Sequence, residues 1–302
     1  MRPAPTVLLL ANVESEPGST LTPKPPHAVR RLLDDPSPSV RKALISYFQG
    51  LGAAAETFLR ATAAGAEISE AEAAAWFLRE LKLSDPVIDF RNFIRSLNYE
   101  LETGSMLLAR TVSPELDIGA CCAEFDRIAA RCRELLAEPS SLREKCRTIN
   151  RVLFHEYSFS LDADPGDPGS NLIDAVLDRH KGSELSLCIV YLLVAGRLGL
   201  ELDPVILPGT YLVGCFGAGK PFFVHPADNG RLRLAEEVAA AVGSLPRPLE
   251  PADLMPASVR ELLCRNCRAL MQHFAAAGDG ERARRFGGFI EEFEAAYARY
   301  EA

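Results

Sequence analysis

The stretch from Leu185 to Leu200 is apolar on nearly every side, and a helix without a polar face is stable only when other elements surround it. Straight after Gly199 the hydrophobic period changes from 3.6 to 2. Val205-Ile206-Leu207, Tyr211-Leu212-Val213 and Phe222-Phe223-Val224 read as short strands separated by Pro-Gly and Gly-Ala-Gly turns. Leu232 and Leu234 add an edge strand. A buried helix against a small antiparallel sheet is therefore the expected centre, and the remaining periodicity is helical. The fold class that follows is α+β, mostly α.

Around that centre the chain divides into four sections. Residues 1–26 carry six prolines and no amphipathic period, which predicts an irregular arm that docks, if at all, through Val7 to Leu10. Residues 27–110 predict a helical, HEAT-like region with helices at about 39–51, 53–64, 69–82 and 86–101, the third of these opened by a Ser69–Glu72 capping box. Residues 111–245 hold the core, with longer helices at about 117–136 and 142–157. There a turn-rich stretch from Asp162 to Ser170 leads into a short helix that Gly182 breaks. Residues 246–302 predict a helix pair broken at Gly278 and Gly280, the size of one tetratricopeptide-type unit.

Charge and cysteine content exclude several functions. Lys+Arg 33 against Asp+Glu 41 gives a net charge of −8, the wrong sign for neutralising phosphates, so nucleic acid is not an expected partner. The basic residues Arg131, Arg133, Arg143, Lys145 and Arg147 are interleaved with Glu134, Glu138 and Glu144, as on a solvated helix face. No apolar run approaches the ~18 residues that a membrane helix needs, and no signal-peptide pattern is present, so the expected location is the cytoplasm. The eight cysteines are then expected as reduced thiols. Only Cys264 and Cys267 have C-x-x-C spacing, without the second ligand pair that a structural zinc site needs. Neither a metal nor a cofactor is expected.

The residues from Leu172 to Leu200, followed by Leu207-Pro208-Gly209-Thr210-Tyr211-Leu212-Val213 and Val224-His225-Pro226-Ala227, resemble the bacterial SirB-type branch of the transglutaminase-like superfamily. Glu102 to Ala109, Leu116-Asp117 and the helix from Arg260 to Leu270 are similar to that family's flanking helices, so the resemblance spans about residues 85–300. It implies a papain-like core in which a Cys at the N-terminus of the central helix, a His on the next strand and an Asp on the strand after form a catalytic triad. The interval from Gly182 to Gly199 matches the family's motif. By the same alignment the nucleophile position is Glu184, the base position Thr210 and the orienting position His225.

All three positions are thus substituted, and neither a glutamate nor a threonine can replace the thiol and imidazole. The expected protein is a pseudoenzyme, a non-catalytic protein-interaction or regulatory module whose partner is another protein or a peptide. Glu184 beside His225 would favour the charged imidazole. The alternative is a residual cysteine-dependent hydrolase or acyltransferase with Cys188 as nucleophile, His225 as base and Asp228 as orienter. Cys188 lies one helical turn beyond Glu184 but inside the apolar run, where burial raises a thiol's pKa.

Overall fold

The computed structural model describes residues 27–81, 83, 85–137, 139–217, 219–241 and 249–301. The arm at 1–26, with its Val7 to Leu10 stretch, lies outside the described residues. The chain divides into two compact units, one up to residue 84 and one from residue 85.

In the first unit, α1 (His27–Arg30), α2 (Pro38–Leu51), α3 (Ala53–Ala63) and α4 (Ile68–Glu80) bury Leu33, Leu44, Phe48, Leu59 and Phe77 at their centre. Arg41 stacks over the Trp76 ring at 5.0 Å. The expected Ser69–Glu72 capping box does not form. The helix starts at Ile68, with Glu67 as N-cap and no side-chain capping bond.

The second unit begins with α5 (Pro86–Ser96) and α6 (Leu101–Arg110). The sequence groups both with an N-terminal region ending at 110, and the structure corrects that boundary. Phe90, Phe93 and Ile94 of α5 and Leu107 and Leu108 of α6 share a core with Leu263, Cys267, Phe289 and Phe293, which belong to the last two helices, at 259–276 and 280–301. The expected C-terminal pair is therefore part of this core and not a section of its own. Amphipathic period shows that a face is buried but not which face covers it. Gly104 permits the close approach: a Cβ there would fall 2.5 Å from Leu263 Cδ1 and 2.8 Å from Phe93 Cζ.

After α6 come α7 (Ile118–Leu135) and α8 (Leu142–Asn150), the latter opened by a Ser141–Glu144 capping box and continued by a π-helical turn, Arg151–Glu156. Two short strands, β1 (Ser160–Leu161) and β2 (Lys181–Gly182), pair in parallel on either side of α9 (Ile173–Arg179). α9 stops because His180 takes a left-handed conformation, φ 53°, so the helix ends before Gly182. Gly182 is required for another reason: a Cβ would lie 2.5 Å from Ser186 Oγ and 3.1 Å from Val176 Cγ1.

The apolar segment forms α10 (Glu184–Arg197), with every residue from Leu185 to Ala195 buried. It packs against α6, α7, α8, α9 and the strands that follow. These are β3 (Asp203–Leu207), β4 (Thr210–Cys215), β5 (Phe222–His225) and β6 (Arg231–Leu234), an antiparallel meander in chain order. β3 tolerates Pro204 because it is an edge strand. The chain closes with α11 (Ala235–Ala241), α12 (Val259–Ala276) and α13 (Gly280–Glu301).

Tyr191, at the middle of α10, is fully buried and donates its hydroxyl to the Cys146 carbonyl at 3.2 Å. Tyr191→Phe should cost about 1 kcal/mol, the net worth of one hydrogen bond. Tyr191→Ala should cost about 3–5 kcal/mol, as for a truncated core aromatic. Denaturant unfolding measures both, and equal costs would mean that the ring is not central to the core.

Candidate functional site

The three positions singled out by the sequence meet at the N-terminus of α10. Ser183 caps that helix by accepting from the Ser186 N–H at 3.2 Å, and its own N–H donates to the Ser170 carbonyl at 2.8 Å. Glu184 is then the first helical residue. Thr210 opens β4 immediately after the Pro208-Gly209 turn, where Gly209 has φ 78°. His225 ends β5 and pairs with Arg231 across the next hairpin.

The geometry joins them directly. Thr210 Oγ1 lies 3.1 Å from His225 Nε2, the hydroxyl donating when that nitrogen is unprotonated. Glu184 Oε2 is 4.0 Å from the same nitrogen and accepts the Tyr211 backbone N–H at 3.3 Å. Together with Arg233 they line a cavity of about 230 Å³.

The imidazole is not held in its charged form. Burial pushes the His225 pKa below its ordinary value, with Arg233 acting in the same direction. Glu184 and Asp228 oppose this without overcoming it. At 4.0 Å, and with its carboxylate engaged by a backbone amide, Glu184 does not make the charge-assisted pair expected from sequence.

Cys188 does not join this cluster. It is fully buried, its thiol donates to the Leu212 carbonyl at 3.5 Å, and burial drives its pKa far above the ordinary thiol value. Asp228 is held by Arg233 at 2.7 Å, which occupies the carboxylate that would orient the imidazole. Cys264 and Cys267 are buried in α12, all eight cysteines are free thiols, and no group of three potential metal ligands occurs among the described residues.

A second cavity, about 440 Å³, opens on the other side of Glu184. Its wall includes Asp162, Asn171, Tyr211, Arg265 and His273, none of which the sequence reading places in a site. Arg265, Ala269 and His273 recur every four residues, so they form one stripe of α12. That periodicity is visible in the sequence, but what it faces is not.

Residues 119–268, which hold this helix, hairpin and cleft, match the transglutaminase-like superfamily. The match runs into α12, beyond the core limit of 245 expected from sequence. The chain belongs to the UPF0162 family. It is 30% identical over 192 residues to a UPF0162 protein of Xylella fastidiosa (strain 9a5c), covering 61% of this chain and 68% of that protein. With a UPF0162 protein of Pseudomonas aeruginosa it shares 31% identity over 159 residues, 52% of this chain and 58% of the relative. A UPF0162 protein of Vibrio cholerae is 26% identical over 135 residues, 44% of this chain and 50% of that one. No solved structure matches. Among the described residues no helix is long and apolar enough to cross a membrane.

Two predictions arise from the site. The lowered His225 pKa means that the unfolded chain takes up its proton first as pH falls. The contribution of this group to stability is therefore complete above the free-imidazole value of about 6.5 and declines below it, towards the folded value. Stability curves between pH 8 and 5 should accordingly flatten in His225→Gln relative to wild type; superimposable pH slopes would contradict the assignment. The second concerns the thiols: chelator plus reductant should leave the thermal midpoint unchanged, and a fall of several degrees would show a metal or disulfide holding the fold.

Proposed function

We propose that this protein is a non-catalytic member of the transglutaminase-like superfamily, of the SirB-type branch, in which the former catalytic cleft serves as a binding surface. It acts as a cytoplasmic protein-interaction or regulatory module, with a protein or peptide as partner. The observation that carries this reading is the occupant of the helix N-terminus. A thiol there would gain from the helix dipole and from an adjacent imidazole. Instead a carboxylate sits at that point, bonded to the Tyr211 N–H, and the imidazole is bonded to the Thr210 hydroxyl. Cys188, the residue one turn further in, is enclosed by the core. The C-terminal helices α12 and α13, the size of a tetratricopeptide-type unit, extend the surface available to a partner.

Thiol labelling tests the reading. In native protein a small alkylating reagent should modify the half-buried Cys122 before any other cysteine, and Cys188 should react only on unfolding. Rapid, selective modification of Cys188, with turnover of an ester or amide substrate that Cys188→Ser abolishes, would overturn it in favour of the hydrolase.

A further inference from the structure

Cys146 and Cys215 are 69 positions apart in the chain, yet their sulfurs lie 3.9 Å from each other in a thiol–thiol hydrogen bond. Cys146 is on α8, and Cys215 is the last residue of β4. A disulfide requires the two sulfurs to close to about 2.05 Å. From 3.9 Å that is a displacement of about 0.9 Å for each, within reach of small side-chain rotations.

The two thiols differ in acidity. Of the eight cysteines, Cys146 alone has a lowered pKa. The hydrogen bond with Cys215 is the main cause, and Arg143 acts in the same direction against the effect of burial. Cys215 is pushed up by the same bond and by burial. The other six, the half-buried Cys122 among them, are all raised. One member of the pair is therefore suited to attack as a thiolate, and the other stands beside it as a resolving thiol.

Both side chains are buried, so a reagent reaches them only through a local opening. The end of the β4–β5 hairpin provides one. Cys215 pairs with Phe222 in the last rung of that ladder, and the Arg143 guanidinium covers the Phe222 ring at 4.6 Å. Beyond this rung lies a loop in which Gly217, Gly219, Lys220 and Pro221 are exposed. Fraying of a terminal rung beside an exposed loop costs far less than global unfolding. It admits a reagent of two heavy atoms, whereas a larger alkylating agent needs a wider opening.

We propose that Cys146 and Cys215 form a reversible disulfide driven by hydrogen peroxide. The Cys146 thiolate attacks one peroxide oxygen and the O–O bond breaks, leaving a sulfenic acid on Cys146. The departing hydroxide takes the proton that Cys146 lost and becomes water. The Cys215 sulfur then attacks the Cys146 sulfur, and its proton leaves with the hydroxyl as a second water. Peroxide gains two electrons, and the two thiols lose them. The new bond ties α8 to β4, both of which pack on α10, and so clamps the strand that begins at Thr210 in the cleft.

The test uses the full chain, reduced, freed of reductant and treated with peroxide near neutral pH. Unfolding in an alkylating reagent and peptide mapping should show Cys146 linked to Cys215 and the other six cysteines alkylated. Dithiothreitol should reverse the link. Cys215→Ser should stop at a Cys146 sulfenic acid that dimedone traps, and Cys146→Ser should leave Cys215 unoxidised. If either serine variant is misfolded by circular dichroism, the mapping of wild type alone decides. In the oxidised protein, hydrogen exchange of the β4–β5 hairpin amides should slow about tenfold or more. Oxidation of Cys122 with Cys146 and Cys215 left unlinked, or a link that forms only in denaturant, would overturn the proposal. Unchanged exchange in the linked protein would overturn the clamping of β4.

Discussion

Burial of α10 is the constraint on which the larger unit depends. From Leu185 to Ala195 the helix has no exposed face, so it must be enclosed on every side. α6 to α9 and the β3–β4 hairpin do this, and α6 is itself buried from Gly104 to Arg110 because its other side meets α5 and the last two helices. Burying a single large aliphatic side chain contributes about 1.5–3 kcal/mol, so the eleven buried positions favour this enclosure strongly. A helix enclosed in this way also has a fixed N-terminus, and the β1–β2 pairing and the Ser170 carbonyl locate that terminus.

The site follows from this placement. Any side chain at position 184 projects to where β4 begins and β5 ends, so Thr210 and His225 face it whatever their chemistry. Cys, His and Asp at such positions make an acyl-transfer triad. Glu, Thr and His make a hydrogen-bonded contact with a neutral imidazole. Desolvation decides the protonation state, because the nearest carboxylate is 4.0 Å away and already engaged. The same helix terminus also borders the larger cavity, where α12 supplies a guanidinium and α9 is preceded by a buried asparagine.

The sequence carried the centre of the fold, since apolarity without a polar face and the change of period at Gly199 are local signals. The Gly182–Gly199 interval drew attention to position 184, which the structure places at the first residue of α10. The allegiance of α5 and α6 was not legible, because an amphipathic stripe such as Phe90, Phe93 and Ile94 fits any apolar partner of similar shape. Nor was the start of α4, where Ser69 and Glu72 have capping-box spacing but the helix begins one residue before Ser69.

By itself, then, the sequence determined a buried helix and a small meander after it, because these depend on side-chain chemistry and short spacings. Only the tertiary structure decided which partners those residues meet. The His225 pKa is lowered because of what buries it, and Cys188 is buried because Leu212 and the core enclose it. Asp162, Asn171, Arg265 and His273 share a cavity although up to 111 positions separate them in sequence. Burial and long-range proximity are properties of packing, and they arise when elements distant in the chain exclude water together.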